Sequence, residues 1–290
     1  MQTYLDCIPC FTRQALDALR QITDDEELML RALRRVLRAS AAFSMELSPP
    51  EMAQIIHRII REESGHSDPY AAIKQRSNRV ATELLPEARR WVEEAVDPFR
   101  MAVRFAIAGN SMDFALTSKW EQLDIENLLE TAARKSLSED DLERFRKEAE
   151  AAKTILVLGD NAGEIVFDRL LMEQFGDATL YYAVKGSPVI NDVTREDAQF
   201  TKMEALAEVV DTGCDAPGAP LSQCTPEFLE LFFAVDLVIA KGQANYETLS
   251  DAPRSVIFLT QVKCPVIGRD LGVSVGSWVI QKHQPEVPCV

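Results

Sequence analysis

The strongest constraint on this fold is a change of hydrophobic pattern near residue 150. Before it, apolar residues recur at helical spacing, as across Phe11–Leu19 and at Leu30, Leu33 and Leu37. Ser48-Pro49-Pro50-Glu51 predicts a helix start, with Ser as N-cap, Pro at the first helical position and Glu three residues on. Met52–Ile60 continues it as an amphipathic helix, and further helices are predicted at Ala71–Leu84, Glu87–Val96, Pro98–Ala108, Ile125–Ala133 and Glu139–Ala152. After it, Thr154–Leu158 is an unbroken apolar run, the pattern of a strand buried on both faces. Strands are predicted at Thr179–Val184, Val209–Thr212, Asp236–Ala240 and Ser255–Leu259, with an edge strand at Ser277–Gln281. They alternate with helices at Glu164–Phe175, Thr194–Ala207 and Pro226–Ala234. Such alternation predicts an α/β fold: a parallel sheet with flanking helices over 153–290, preceded by an all-helical half over 1–152, with a core shared between the halves left open.

Four polar clusters follow the apolar runs: Gly159–Glu164, Lys185–Asp192, Lys241–Tyr246 and Thr260–Lys263. Parallel strands bring their C-terminal ends to one edge, where open α/β sheets bind ligands. Asp160-Asn161 and Asn191-Asp192 each place a carboxylate beside a carboxamide, hard oxygen donors suited to a divalent cation. Taken singly, Asp160, Asn161, Asp192 or Thr194 could each be a helix cap. Lys185–Asn191 is longer than a simple strand-to-helix turn requires. Lys241 and Lys263 both stand at strand ends, where an ammonium can reach a phosphate; each alone reads equally as a surface lysine. Gly109-Asn110 reads as a helix C-cap, although Asn110 and Asp113 could reach over the crevice.

The net charge is −15, which disfavours nucleic acid and anionic membranes as partners but permits a small phosphorylated ligand beside local lysines. No apolar run approaches the roughly 20 residues of a membrane span, and the N-terminus lacks a signal-peptide pattern. A cytoplasmic protein with reduced thiols is expected. Cys7 and Cys10 form a CxxC whose thiols are expected to pack inside at a helix entry; zinc would need two further ligands. P-loop, dinucleotide, nucleophile-elbow and HExxH motifs are absent. With His57, His66 and His283 the only histidines, and none beside a cluster, imidazole general-base chemistry has little support. Nothing in the pattern signals an oligomeric state.

The clusters resemble the motifs of the DUF89 proteins, the metal-dependent damage-control phosphatases, in their small prokaryotic-type subfamily. The matching stretches are 159–164, Lys185 to Asp192 with Thr194 and Asp197, Lys241–Glu247, and Lys263-Cys264-Pro265. In the first half they are Cys7-x-x-Cys10, Asp68-Pro69-Tyr70 with Lys74, Ser77-Asn78, and Ala108-Gly109-Asn110 with Asp113. The resemblance spans nearly the whole chain and implies a helical domain joined to a Rossmann-like domain. It implies Asp160, Asn161 and Asp192 as ligands of a divalent ion (manganese, cobalt, nickel or magnesium). Asp160, Asp192 and Lys241 are then the expected catalytic residues. Asn110, Asp113, Glu164, Lys185, Asn191, Gln243, Asn245 and Lys263 are the expected substrate-binding residues. The implied substrates are phosphometabolites, including sugar phosphates and damaged phosphorylated intermediates.

Two other functions compete. An S-adenosylmethionine-dependent carboxyl methyltransferase would also use a parallel sheet with acidic residues after its strands, but no glycine-rich loop follows the first strand. A non-catalytic phospholigand-binding protein would bind without turnover.

Overall fold

The computed structural model describes residues 1–111 and 125–285. Among them, seven helices come first: α1 (Cys7–Ile22), α2 (Glu26–Ala42), α3 (Pro49–Ser64), α4 (Ala71–Glu93), α5 (Pro98–Ser111), α6 (Ile125–Arg134) and α7 (Glu139–Ala151). Strands and helices then alternate: β1 (Thr154–Leu158), α8 (Glu164–Met172), β2 (Thr179–Val184), α9 (Arg195–Phe200), β3 (Glu208–Asp211), α10 (Pro226–Ala234), β4 (Leu237–Lys241), α11 (Gly242–Leu249), β5 (Val256–Gln261), α12 (Pro265–Leu271) and β6 (Trp278–His283). No helix among the described residues is long and apolar enough to cross a membrane.

Local chemistry explains most boundaries. α3 starts on the expected capping box, the Ser48 N–H donating to Glu51 Oε2 at 2.8 Å, and it stops at Gly65 with φ +69°. Two expectations change. The stretch predicted as separate helices either side of Pro86 is the single helix α4. Leu84, Leu85, Ala88 and Val92 are buried along it, and burial of about 1.5–3 kcal/mol per large apolar side chain outweighs roughly 3 kcal/mol for an interior proline. The helix predicted over Thr194–Ala207 ends at Phe200, because Lys202 takes φ +57°, and the chain continues through a 3₁₀ turn at Met203–Ala205. α11 and α12 had no counterpart in the sequence reading; each opens directly from a polar cluster.

The sheet order is β3-β2-β1-β4-β5-β6, parallel except for β6, which runs antiparallel to β5. The order reverses between β1 and β4, which opens a crevice at their C-terminal ends. On one face, Ile155, Val157, Ile239 and Leu259 pack in a core shared with Phe105, Ile107 and Phe145 of the helical half and Phe167 and Leu170 of α8. On the other, Leu156, Leu158 and Phe258 pack with Phe228, Phe232 and Tyr246. A third cluster joins α1, α2 and α3 through Phe11, Leu19, Val36, Met52 and Ile56, and takes in Val266 of α12.

Candidate active site at the sheet edge

The loop after β1 carries Gly159 to Glu164. Gly159 is required by close approach: a Cβ there would lie 2.5 Å from the Tyr182 hydroxyl oxygen. Gly163 turns the chain at φ +83°, and its N–H donates to Asn78 Oδ1 of α4 at 2.7 Å. Asn78 donates in turn to Asp197 Oδ1 at 2.7 Å, and Asp197 forms the capping box of α9 with Thr194. Lys74, also on α4, pairs with Asp197 at 3.1 Å and Asp68 at 3.0 Å. A buried polar clamp from the helical half thus holds both loops that carry Asp/Asn pairs.

The two pairs are also tied to each other. Asn161 and Asp192 form an isolated antiparallel bridge. The Ala162 N–H donates to the Asn191 carbonyl and the Val193 N–H to the Asp160 carbonyl, both at 2.8 Å. The capping alternative fails for the aspartates, since α8 is capped at Gly163 and α9 at Thr194. Ile190, just before the second pair, is held at φ +45°, an uncommon conformation for a β-branched residue.

Burial dominates the electrostatics. It pushes the Asp160 carboxyl up to about 6, helped by Glu164 and opposed by Lys263, Lys185 and Lys241. It pushes Asp192 up to about 8, opposed by Lys185 and helped by Asp160. Asp192 Oδ2 is buried and receives no hydrogen bond among the described residues; Lys185 Nζ stands 3.5 Å away. An orphaned buried acceptor beside a second carboxyl raised by burial fits a bound cation. Asp160, Asn161 and Asp192 together offer hard oxygen donors for it. Among the described residues no three His, Cys, Asp or Glu side chains make a ligand set by themselves; here a carboxamide would complete the set.

These residues open onto a crevice of about 760 Å³. Asp160, Asn161, Asn191, Asp192, Gln243 and Lys263 line its sheet side, while Cys7, Cys10 and Phe11 of α1 and Pro49 and Pro50 of α3 line the helical side. Another cavity, about 620 Å³, lies by Phe99, Lys153 and Phe175 at the opposite, N-terminal ends of the strands and carries no comparable cluster.

Other expected site residues lie behind this surface. Lys241 does not point into the crevice. Its fully buried ammonium donates to the Ala106 carbonyl at 3.0 Å and pairs with Glu164 at 2.7 Å and with Asp168. Burial alone would lower its pKa, but Asp168 and Glu164 outweigh that and raise it. Glu164 is fully buried under the loop. Lys185 is buried too, donating to the Gly218 carbonyl at 2.6 Å beside Asp192. Asn245 donates to the Lys241 and Gly159 carbonyls at 2.6 and 3.2 Å, pinning the start of α11 to the end of β1. Asn110 falls in the last turn of α5; its side chain, and Asp113, lie outside the described residues. The expectation of two inward-packed thiols holds for Cys7 only, since Cys10 is exposed at the crevice wall. Glu247, in the same crevice, was not among the expected site residues. Its spacing of four from Gln243 was the available signal, since such residues share a helix face.

Residues 3–279 match the family model of the damage-control phosphatase ARMT1-like domain. The chain belongs to that family. It is 36% identical over 279 residues to a protein of Archaeoglobus fulgidus named a damage-control phosphatase, covering 94% of this chain and 96% of that one. A damage-control phosphatase of Pyrococcus horikoshii is 32% identical over 98% of this chain and 99% of its own. The crystal structure of a DUF89 family protein from Pyrococcus horikoshii superposes with a TM-score of 0.90 at 31% identity, covering 98% of this chain and all of that one. The relatives' names support a phosphatase role in the family.

Proposed function

We propose that this family member is a metal-dependent phosphomonoesterase acting on small phosphorylated metabolites, such as sugar phosphates or damaged phosphometabolites. The observation that carries the reading is the tied pair of loops, which brings Asp160, Asn161 and Asp192 together at the crevice with the Asp192 Oδ2 acceptor unsatisfied. Those three residues would hold manganese, cobalt, nickel or magnesium, and when bound the ion supplies Lewis-acid neutralisation of phosphoryl charge. Lys263 shares the crevice wall and adds a positive charge where the transferring group gains negative charge. Lys241 acts from beneath, neutralising Glu164 and Asp168 so that the floor does not repel an anionic ester. Phe11, Pro49 and Pro50 close the opposite side and limit water around the reacting group.

Asp160→Ala should lower metal-dependent hydrolysis of an aryl phosphate by about 10³-fold or more, with the fold intact by circular dichroism. Turnover close to that of the parent would remove the site assignment. Hydrolysis in ¹⁸O-labelled water, with mass analysis of the protein for a trapped phosphoryl group, distinguishes attack by water from attack by the Asp160 carboxylate.

A further inference from the structure

Glu247 is a carboxyl in the crevice that the proposed reaction has not used. It lies on the second turn of α11, half-buried. Gln243 orients it: the Gln243 Nε2 donates to Glu247 Oε1 at 3.2 Å, and the Lys263 N–H fixes the carboxamide by donating to its Oε1 at 3.2 Å. No hydrogen bond reaches Glu247 Oε2 among the described residues. Gly242 opens the same helix against the Asp160 carboxylate, so close that a Cβ would fall 1.9 Å from Asp160 Oδ2. Asp160, Gln243, Glu247 and Lys263 thus line one crevice around the start of α11.

We propose that Glu247 is the general acid that protonates the leaving oxygen of the phosphate ester. As the P–O bond breaks, its electron pair stays on the ester oxygen and takes the Oε2 proton, so the alcohol leaves neutral. Water supplies the new oxygen on phosphorus and releases one proton to solvent, from which the Glu247 carboxylate regains its own. The proposal rests on the phosphatase reading above.

The surroundings hold this carboxyl above the usual carboxylate range. Burial pushes it up to about 7, the Gln243 hydrogen bond and the Met1 ammonium oppose this, and Asp160 adds to it. Cys7 and Cys10 of α1 face it as well. Asp6, Asp192, Lys263, Cys264 and Arg269 are the other charged and titratable groups lining this crevice.

The test compares two substrates on the purified full-length chain with Mn²⁺: an alkyl phosphate, whose alcohol needs a proton to leave, and p-nitrophenyl phosphate, whose phenolate leaves readily. Glu247→Gln should lower kcat on the alkyl ester by about 10²-fold or more and on the aryl ester by about tenfold or less. Glu247→Asp should restore part of the alkyl-ester rate. In the parent protein, kcat on the alkyl ester should fall as pH rises through the carboxyl's range, a limb that the aryl ester lacks. That measurement decides the matter even if the variants fail to fold. Equal losses on both esters, or identical pH limbs, would overturn the role of Glu247. No turnover of either ester by the parent with any divalent metal would remove the phosphatase reading and this one with it.

Discussion

Gly242 is where a single atom decides whether the site can form. Its φ is +77° and its α-carbon abuts Asp160, so an alanine there would be strained and would collide with a carboxylate oxygen. Gly242→Ala should lower Tm, with a cost of roughly 1–3 kcal/mol. It should lower kcat on an aryl phosphate by at least about tenfold, because the side chain displaced is Asp160. A variant with unchanged kcat would contradict this placement. The polar cluster that holds the glycine was legible in the sequence, although not what approaches it. Lys241 shows the opposite limit. Its place at a strand end pointed to the crevice, yet side chains alternate along a strand. Leu237 and Ile239 pack on the α5 and α8 side of the sheet, and Lys241 continues their register. Glu164 and Asp168, four apart on α8, claim it there. Period two assigned the face; only the folded partner showed that two carboxylates wait on it.

At the scale of elements, Asp215 ties the loop joining β3 to α10 to the helical half. Its carboxylate accepts from Arg58 Nε at 2.9 Å and Gln54 Nε2 at 2.7 Å, and it pairs with Arg61, all from α3. The same loop presents Gly218 to Lys185 and Pro217 to the crevice. Burial would raise the Asp215 carboxyl, but the bonds from Arg58, Gln54 and Arg61 hold it well below the usual carboxylate range. A depressed carboxylate contributes stability above its unfolded pKa, near 3.9, and loses it as pH falls through its folded value. Asp215→Asn should therefore cost roughly 1–2 kcal/mol at pH 7, discounted for the partly exposed arginines. In urea titrations the gap between variant and parent should close below about pH 4. A gap constant from pH 7 to pH 3 would show that the charge is not what docks the loop. None of this was legible in sequence. Helical periodicity does not name a partner for Arg58 or Arg61, and that partner lies more than 150 positions away. What was legible on α3 was its capping box, because Ser48 and Glu51 are neighbours.

For the whole molecule, a sequence boundary and a core need not coincide. The change of pattern near residue 150 marks where helices give way to strands, and local periodicity suffices to read it. Packing across that point is not local. Ile165, Val166, Phe167, Leu170 and Leu171 of α8 share one cluster with Phe105, Ile107 and Phe145. At Gly109 the two halves meet so closely that a Cβ would lie 3.2 Å from the Glu164 α-carbon. The Lys241 ammonium draws one of its three acceptors, the Ala106 carbonyl, from the helical half. Removing residues 1–152 would expose the face of α8 that packs on α5. Losing the burial of four large apolar side chains costs on the order of 6–12 kcal/mol, against a total domain stability of about 5–15 kcal/mol. It would also free both Asp/Asn loops from Lys74 and Asn78. The fragment 153–290, expressed alone, should keep helical and strand signal in the far ultraviolet. It should lack a cooperative thermal transition, bind an apolar dye and show poorly dispersed amide resonances. A sharp melt with a dispersed spectrum would show that the α/β half carries a sufficient core of its own. The site would then depend on the helical half for its clamp and its crevice wall, and not for the fold beneath them.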